Sequence, residues 1–335
     1  MAGVLAIGAL GVSCQSASLT AAKLYIKQEQ PERAKQQLLE GLQTEPQNPE
    51  IPYLLGTLYG KEGDYAAMVD AFGRSLALSP KYASQIDEYR RFYWIQSYNN
   101  GIRYARTSDP DYAAARQAFE AAVLIDSARL EAWRNLAFAR YHVDDIDGAI
   151  AAYEHIASSA PTDTVTFNSL GVLYLGESRP TEAARAFQHV LELDPVHQGA
   201  LVNLAVVYTD AGRLAEAEEL YLRATTANPE ASPPYYNLGN LYWNQKRYKE
   251  AATAYGRAVE LTPDDPDARF NLAVTFLSLD DPDSALPLLQ KLSEDTPDNG
   301  SVWRELGRTW ALKGKVRESE HAYERAEALG EFAPK

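Results

Sequence analysis

The sequence has little that would support covalent or metal chemistry. Its 335 residues include one cysteine, Cys14, and five histidines. A single cysteine excludes an intramolecular disulfide. No two histidines are four residues apart and none joins the cysteine, so the spacing of a zinc site is missing. The glycine-rich stretch at 56–63 has neither a GxGxxG spacing nor a GK[ST] ending. We expect no catalytic residue, no cofactor and no metal ion.

Basic residues are also in deficit. The chain has 32 Lys and Arg against 46 Asp and Glu, which gives a net charge of −14. This balance argues against nucleic acid or anionic lipid as an electrostatic partner. One stretch, residues 89–106, interleaves arginines with aromatic residues, as nucleic-acid stacking surfaces do. A long helix that braces its neighbours explains the same pattern. The acidic chain favours the bracing helix, and we expect no nucleic-acid partner.

A hydrophobic run long enough to cross a membrane is missing too. The apolar run at residues 4–12 is too short to span a bilayer and has the length of a signal-peptide core. It ends in LGVSC, which resembles the signal of bacterial lipoproteins. The resemblance implies cleavage before Cys14, lipidation of that residue, a signal peptide at 1–13 and a tether at 14–18. Gly11 stands where such signals usually have leucine, and no Lys or Arg precedes the run.

Localisation follows from this leader. Cys14 is followed by Gln15 instead of aspartate, which by resemblance to enterobacterial sorting directs a lipoprotein to the outer membrane. We therefore expect a lipid-anchored protein of the bacterial cell envelope, on the outer membrane and facing the periplasm. The alternative is a cytoplasmic protein whose first residues form a frayed or buried helix.

What the sequence does contain is an internal period of 34 residues. In each copy, positions 8 and 20 are mostly small, position 24 is usually aromatic and position 32 is usually proline. Position 8 is glycine or alanine throughout: Ala22, Gly56, Gly101, Ala137, Gly171, Ala205, Gly239, Ala273 and Gly307. The small residues allow two antiparallel helices to approach closely. Proline ends a helix, because it lacks an N–H and clashes with the preceding turn. Each copy is predicted to be helix A, a turn and helix B.

This pattern resembles the tetratricopeptide repeat, whose period and signature it shares. The resemblance implies an all-α fold, an α-solenoid of about nine helix-turn-helix units forming a right-handed superhelix. One unit is irregular, because it carries an extension at 83–93 and a longer loop. The array is predicted at 19–330, with units at about 15–48, 49–82, 83–129, 130–163, 164–197, 198–231, 232–265, 266–299 and 300–333.

Asparagine recurs at position 6 of helix A. Position 6 lies about 200° from position 4, on the side of helix A that faces away from helix B. In the resembling family this side lines the concave surface. A side-chain amide offers a donor and an acceptor, like a peptide bond. A row of amides could therefore grip the backbone of an extended peptide, and it resembles the peptide-gripping asparagines of O-GlcNAc transferase. The residues are Asn99, Asn135, Asn203, Asn237 and Asn271.

Two interpretations of this row remain open. The asparagines either bind a ligand or bond between neighbouring helices. The residue types at nearby positions predict a groove lined by apolar and aromatic side chains, which is typical of interaction sites. We include as candidate peptide-binding residues Phe138, Val206, Tyr236, Asn240, Trp243, Phe270 and Val274.

These features predict a protein that is not an enzyme. We expect a membrane-tethered scaffold that binds a protein or extended peptide and serves assembly in the bacterial envelope. A cytosolic adaptor for complex assembly is the first alternative. The substrate-binding part of a glycosyltransferase system is the second, although the repeats occupy nearly the whole chain and leave no segment for a catalytic domain.

Overall fold

The computed structural model describes residues 16–331. Over these residues the chain forms eighteen α-helices, one short 3-10 turn and no strand. The helices divide into two compact units, with the boundary between Pro161 and Thr162. The part before the boundary is unit 1, and the part after it is unit 2.

Unit 1 consists of four antiparallel helix pairs, in which the first helix is helix A and the second helix B. A 3-10 turn, Pro80–Tyr82, precedes the third pair. The pairs are α1 (Ala17–Lys27) with α2 (Pro31–Thr44), α3 (Glu50–Glu62) with α4 (Tyr65–Leu78), α5 (Ala83–Ala105) with α6 (Tyr112–Ile125), and α7 (Leu130–His142) with α8 (Ile146–Ser159).

Unit 2 consists of five such pairs, and each helix B also packs against helix A of the next pair. The prediction of an all-α array of paired helices is confirmed. The pairs are α9 (Thr164–Gly176) with α10 (Pro180–Leu193), α11 (Gln198–Asp210) with α12 (Leu214–Ala227), α13 (Ser232–Asn244) with α14 (Tyr248–Leu261), α15 (Pro266–Ser278) with α16 (Pro282–Asp295), and α17 (Gly300–Leu312) with α18 (Val316–Ala328).

Close packing of each pair explains the small residue at position 8. A Cβ built on Gly239 would lie 2.5 Å from the ring of Tyr255, which occupies position 24. Gly171 has the same relation to Phe187, at 2.4 Å. Both rings are fully or almost fully buried. The contact fixes which side of helix A faces helix B, and it therefore fixes which side is left for other contacts.

The turn between helices A and B depends on a left-handed residue at position 15. Glycine fills this place at Gly63, Gly212 and Gly314, where φ is 81°, 72° and 70°. Five other pairs put a residue with a side chain there, at φ between 55° and 62°: Glu29, Asp144, Ser178, Lys246 and Asp280. The left-handed region is strained for residues that have a Cβ. The array therefore keeps one turn geometry even where the sequence does not favour it.

In the irregular repeat, the extension and helix A form one continuous helix, α5, of 23 residues. The extension and the residue that follows it add two aromatic side chains to the core of unit 1, since Tyr93 and Trp94 are 7% and 5% exposed. The neighbouring Phe92 is 59% exposed. The extended helix therefore braces unit 1 with some of its rings and leaves another ring at the surface.

Candidate functional site

The asparagines at position 6 lie on the A helices, away from the B helices. Asn237 is two residues before Gly239, whose backbone packs against the ring of Tyr255. Two residues correspond to about 200° around an α-helix. In unit 2, helix A of one pair lies beside helix A of the next, as α9 does beside α11. We call the exposed and half-buried residues at positions 5, 6, 9 and 12 of α9, α11, α13 and α15 the A-helix surface.

Two of the five asparagines are bonded to a neighbouring A helix. Asn271 Nδ2 donates to the Tyr236 hydroxyl at 3.1 Å. In unit 1, Asn135 Nδ2 donates to the Tyr98 hydroxyl, also at 3.1 Å, and to the Glu131 carbonyl at 2.8 Å. In both cases the tyrosine stands at position 5 of the preceding repeat. The interpretation that these amides bond between neighbouring helices holds for this pair of residues.

The other three asparagines form no hydrogen bond within residues 16–331. Asn203 and Asn237 are half-buried, and Asn99 is exposed. No amide atom of Asn203 or Asn237 is buried without a partner, so the amides of both residues reach solvent. Val202 stands at position 5 of the repeat before Asn237, where Asn271 has a tyrosine to bond. The two central amides of unit 2 are therefore available to a ligand.

The A-helix surface of unit 2 carries no charged residue at positions 5, 6, 9 and 12 of its four helices. This is unusual in a chain with a net charge of −14. The next A helix, α17, has charged residues at the equivalent positions, where Arg304 and Arg308 flank the buried Glu305. Apolar surroundings strengthen hydrogen bonds, because the local dielectric is low. An uncharged strip with free amides suits a neutral backbone better than a charged ligand.

The remaining candidate residues of unit 2 lie around these amides. Asn240 is engaged, because its Oδ1 accepts a hydrogen bond from the Tyr255 hydroxyl at 2.6 Å. Burial raises the pKa of Tyr255, which keeps this donor protonated at neutral pH. The Trp243 ring lies 5.0 Å from the Tyr248 ring. The side chains that are half-buried are Val206, Tyr236, Trp243, Phe270 and Val274.

Three candidate residues lie in unit 1 instead, namely Asn99, Asn135 and Phe138. Phe138 is 45% exposed, and its ring lies 4.4 Å from His142 and 5.8 Å from Tyr112. The predicted peptide-binding residues thus fall into two groups, one in each unit. The group in unit 2 contains the two adjacent repeats with free amides.

The proposed lipidation site, Cys14, lies outside the described residues, as do the predicted signal peptide and the second residue of the tether, Gln15. Of the helices within 16–331, none is both long enough and apolar enough to span a bilayer. Over the same residues, His, Cys, Asp and Glu side chains form no group of three or more that could hold a metal ion.

The structure adds an ion-pair cluster that the sequence did not reveal. Arg247 stacks on the Tyr242 ring at 4.3 Å and donates to Glu218 Oε2 at 2.7 Å. Tyr242 also donates to Glu218 Oε1 at 2.9 Å. Burial and this bond raise the pKa of Tyr242 to about 12, and the bond from Arg247 lowers the pKa of Glu218. The cluster joins α12 to α13, so it is structural.

A second feature missed in the sequence is an aromatic groove in unit 1, between α3 and α5. It has a volume of about 610 Å³, and tyrosines from both helices line it. The available signal was the extension at 83–93, which adds Tyr89 and Phe92 beside an otherwise regular A helix.

Comparisons with known proteins agree on the type of fold. Family models of the tetratricopeptide repeat match residues 50–82, 168–232 and 242–329. A search of curated protein sequences found no match. A tetratricopeptide repeat protein from Parabacteroides merdae is similar in structure, with 14% identity and a TM-score of 0.54, over 71% of this chain and 94% of that one.

Two further solved structures show weaker likeness. YrrB, described as a TPR protein with an unusual peptide-binding site, is 22% identical over 53% of this chain and 92% of its own, with a TM-score of 0.49. A MamA protein is 23% identical over 50% of this chain and 91% of its own, with a TM-score of 0.47. The matched segments and the paired helices together identify the chain as a protein built of tetratricopeptide repeats.

Proposed function

We propose that the protein is a non-enzymatic scaffold that binds an extended peptide or protein segment on the A-helix surface of unit 2. The observation that carries this proposal is the pair of free amides, Asn203 and Asn237, within a strip that has no charge. Repeat arrays use such extended surfaces for binding, because stacked repeats place equivalent side chains at regular intervals.

The geometry favours recognition of the peptide backbone. A backbone presents one N–H and one C=O per residue, and each amide can pair with both types of group. Val172 and Val206 lie on the same surface as the amides, and Val172 is 49% exposed. Apolar residues of the ligand can cover these valines. Since charged partners are missing from the strip, we expect affinity to depend little on salt.

A capture experiment tests this function. The bait is the chain from residue 16, compared with a double variant, Asn203→Ala and Asn237→Ala, in extracts of bacterial envelopes. Gln290→Ala is the matched control, because it removes an exposed amide from a B helix of the same unit. We expect the control to capture the same protein as the unchanged bait, and the double variant to lose it while its helical circular dichroism stays the same.

The bound segment of the captured protein then tests the mode of recognition. A synthetic copy with N-methylated backbone amides should bind at least tenfold more weakly than the unmodified peptide, because each methyl group removes a donor. Equal capture by the double variant, or equal binding of the methylated peptide, would show that the amides do not grip a backbone.

We further propose that the scaffold is tethered to the bacterial envelope through a lipid on Cys14 and serves assembly there. The apolar leader and the cysteine that ends it support this. The test is metabolic labelling with a fatty-acid analogue in bacteria that express the full chain, with Cys14→Ala as the control. Label on the unchanged chain alone, in the outer-membrane fraction, supports the anchor. An unlabelled chain in the cytoplasm favours the cytosolic adaptor instead.

A further inference from the structure

The aromatic groove of unit 1 has features of a second binding site. Tyr53 and Lys61 come from α3, while Tyr89, Phe92 and Tyr93 come from α5. Phe92 is 59% exposed, whereas Tyr93 is 7% exposed. The floor of the groove is therefore anchored in the core, and its rim offers an aromatic ring to a ligand. Neither Tyr53 nor Phe92 was among the candidate residues of the A-helix surface.

Three tyrosine rings form a row with even spacing. The ring centres of Tyr53 and Tyr89 are 6.5 Å apart, and those of Tyr89 and Tyr93 are also 6.5 Å apart. Tyr82 stacks on Tyr53 at 4.4 Å and holds that ring in place. The row is rigid because its rings pack against one another, so little side-chain entropy is lost when a ligand binds.

The hydroxyls of these tyrosines are free donors. None of the three forms a hydrogen bond within residues 16–331, and none is enclosed by the protein without a partner. Each hydroxyl therefore reaches solvent from a ring that is largely covered. Burial raises the pKa of Tyr53 and of Tyr93 further above the ordinary tyrosine value, and both hydroxyls are protonated donors at neutral pH. A ligand that suits the groove must offer hydrogen-bond acceptors to these hydroxyls.

A polyproline II segment offers such acceptors. This conformation has no internal hydrogen bonds, so its carbonyl groups are available, and it rises about 3.1 Å per residue. It has three residues per turn, so its carbonyl groups point outward around the axis, and some of them face any groove in which the segment lies. Proline rings also pack flat against aromatic rings, and aromatic grooves recognise polyproline II segments in other folds. The segment is already extended before binding, which lowers the entropic cost of association.

Charged residues that line the groove indicate where a charged ligand residue would bind. Lys61 is exposed and forms no ion pair within the described part of the chain. It lies eight residues after Tyr53, which is about 12 Å along the helix. Glu88 of α5 also lines the groove. The groove therefore carries a positive charge from α3 and a negative charge from α5, and an acidic ligand residue fits beside Lys61.

We propose that the groove between α3 and α5 binds a proline-rich segment in the polyproline II conformation, with an acidic residue paired to Lys61. This site is separate from the A-helix surface of unit 2, and its proposed ligand does not depend on the function proposed for that surface.

The test is a titration of the full chain with labelled peptides, followed by fluorescence anisotropy. The probes are octaproline peptides with one aspartate at the first or the last position. Peptides of glycine and serine with the same length and charge are the comparison. We expect one of the two proline peptides to bind at least tenfold more tightly than its comparison peptide. Equal affinity, or no binding of either proline peptide, would overturn the proposal.

Two substitutions then locate the site. Phe92→Ala should weaken binding of the proline peptide about tenfold, because the ligand loses an aromatic contact at the groove. Leu124→Ala is the matched control, because it truncates a side chain of unit 1 that is 47% exposed and lies outside the groove. Circular dichroism of both variants should equal that of the unchanged chain. Unchanged affinity after Phe92→Ala would place binding elsewhere and contradict the assignment.

A charge exchange tests the pairing with Lys61. Lys61→Glu should weaken binding of the aspartate peptide severalfold and strengthen binding of a peptide with lysine in the same place. If Lys61→Glu changes the affinity for neither peptide, the acidic residue does not meet Lys61 and that part of the proposal is wrong.

Discussion

At the scale of single residues, the position-6 asparagines differ through their neighbours. Asn271 follows a repeat with tyrosine at position 5 and donates to it, whereas Asn237 follows a repeat with Val202 at that place. The same side chain is therefore available to a ligand in one repeat and held in a structural hydrogen bond in the next. Whether the asparagine is bonded depends on which side chain of the preceding repeat lies beside it, so the asparagine alone does not tell its role.

This difference predicts unequal effects on stability. Asn271→Ala should lower the free energy of unfolding by about 1 kcal/mol relative to Asn237→Ala, because only the first loses a hydrogen bond. Both changes occur at the same repeat position, so the gain in helix propensity cancels in the comparison. Urea unfolding of the two variants measures it. Tyr236→Phe should remove the same bond, and adding it to Asn271→Ala should cost little more. Equal stabilities of the two alanine variants would contradict the assignment.

A second prediction at this scale concerns pH. The bonds from Arg247 lower the pKa of Glu218 below its ordinary value of 4.5. A folded-state pKa below the unfolded value means that this carboxylate stabilises the fold fully above the unfolded pKa. The stabilisation is lost as the pH falls through the folded pKa.

Melting temperatures between pH 7 and pH 3 test this coupling. The unchanged chain should lose stability more steeply over that range than Glu218→Gln, which has no carboxylate to protonate. Glu294→Gln is the control, since that side chain is 73% exposed. Parallel curves for the unchanged chain and Glu218→Gln would show that the pair does not contribute.

The sequence pattern predicted the repeats correctly, but it did not predict which asparagine side chains form hydrogen bonds between repeats. The small residue at position 8 was interpreted correctly, because Gly239 packs on Tyr255. This contact lies within one helix pair, so it depends only on residues of that pair. The sequence pattern did not distinguish the free amide of Asn237 from the bonded amide of Asn271, because the contact that makes the difference is with the preceding repeat. The tyrosine groove was missed for a related reason. It arises where the extension of α5 meets α3, and the period does not describe that segment.

At the scale of elements, the turn between helices A and B carries a testable strain. Lys246 holds a φ of 59° at position 15, where Gly212 of the preceding repeat has 72°. Residues with a Cβ cost about 1 kcal/mol in this region, and glycine costs less. Each pair of helices keeps the turn because its packing requires the two helices to lie antiparallel.

Lys246→Gly should therefore raise the free energy of unfolding by about 0.5–1 kcal/mol, and Gly212→Ala should lower it by a similar amount. Thermal and urea unfolding of both variants give the values. Lys249→Ala is a suitable control, because Lys249 is exposed, lies on α14 and has no role in the turn. A loss of stability in Lys246→Gly would mean that the lysine makes a compensating contact.

At the scale of the whole molecule, the two candidate surfaces lie in different units. The free amides Asn203 and Asn237 belong to unit 2, and the tyrosine groove belongs to unit 1. Repeat proteins gain stability from each repeat and from its nearest neighbours, so a run of several repeats can fold alone. Each unit has its own buried residues, such as Phe119 in unit 1 and Tyr255 in unit 2.

This arrangement predicts that the units can be separated without loss of their surfaces. The fragments 16–161 and 162–335 should each show helical circular dichroism and a cooperative thermal transition. The first should keep the affinity for the proline peptide, and the second should keep the affinity for the peptide captured by the A-helix surface. Titration of both ligands against both fragments gives four affinities. If a folded fragment loses its own ligand, residues outside that fragment must contribute to the site.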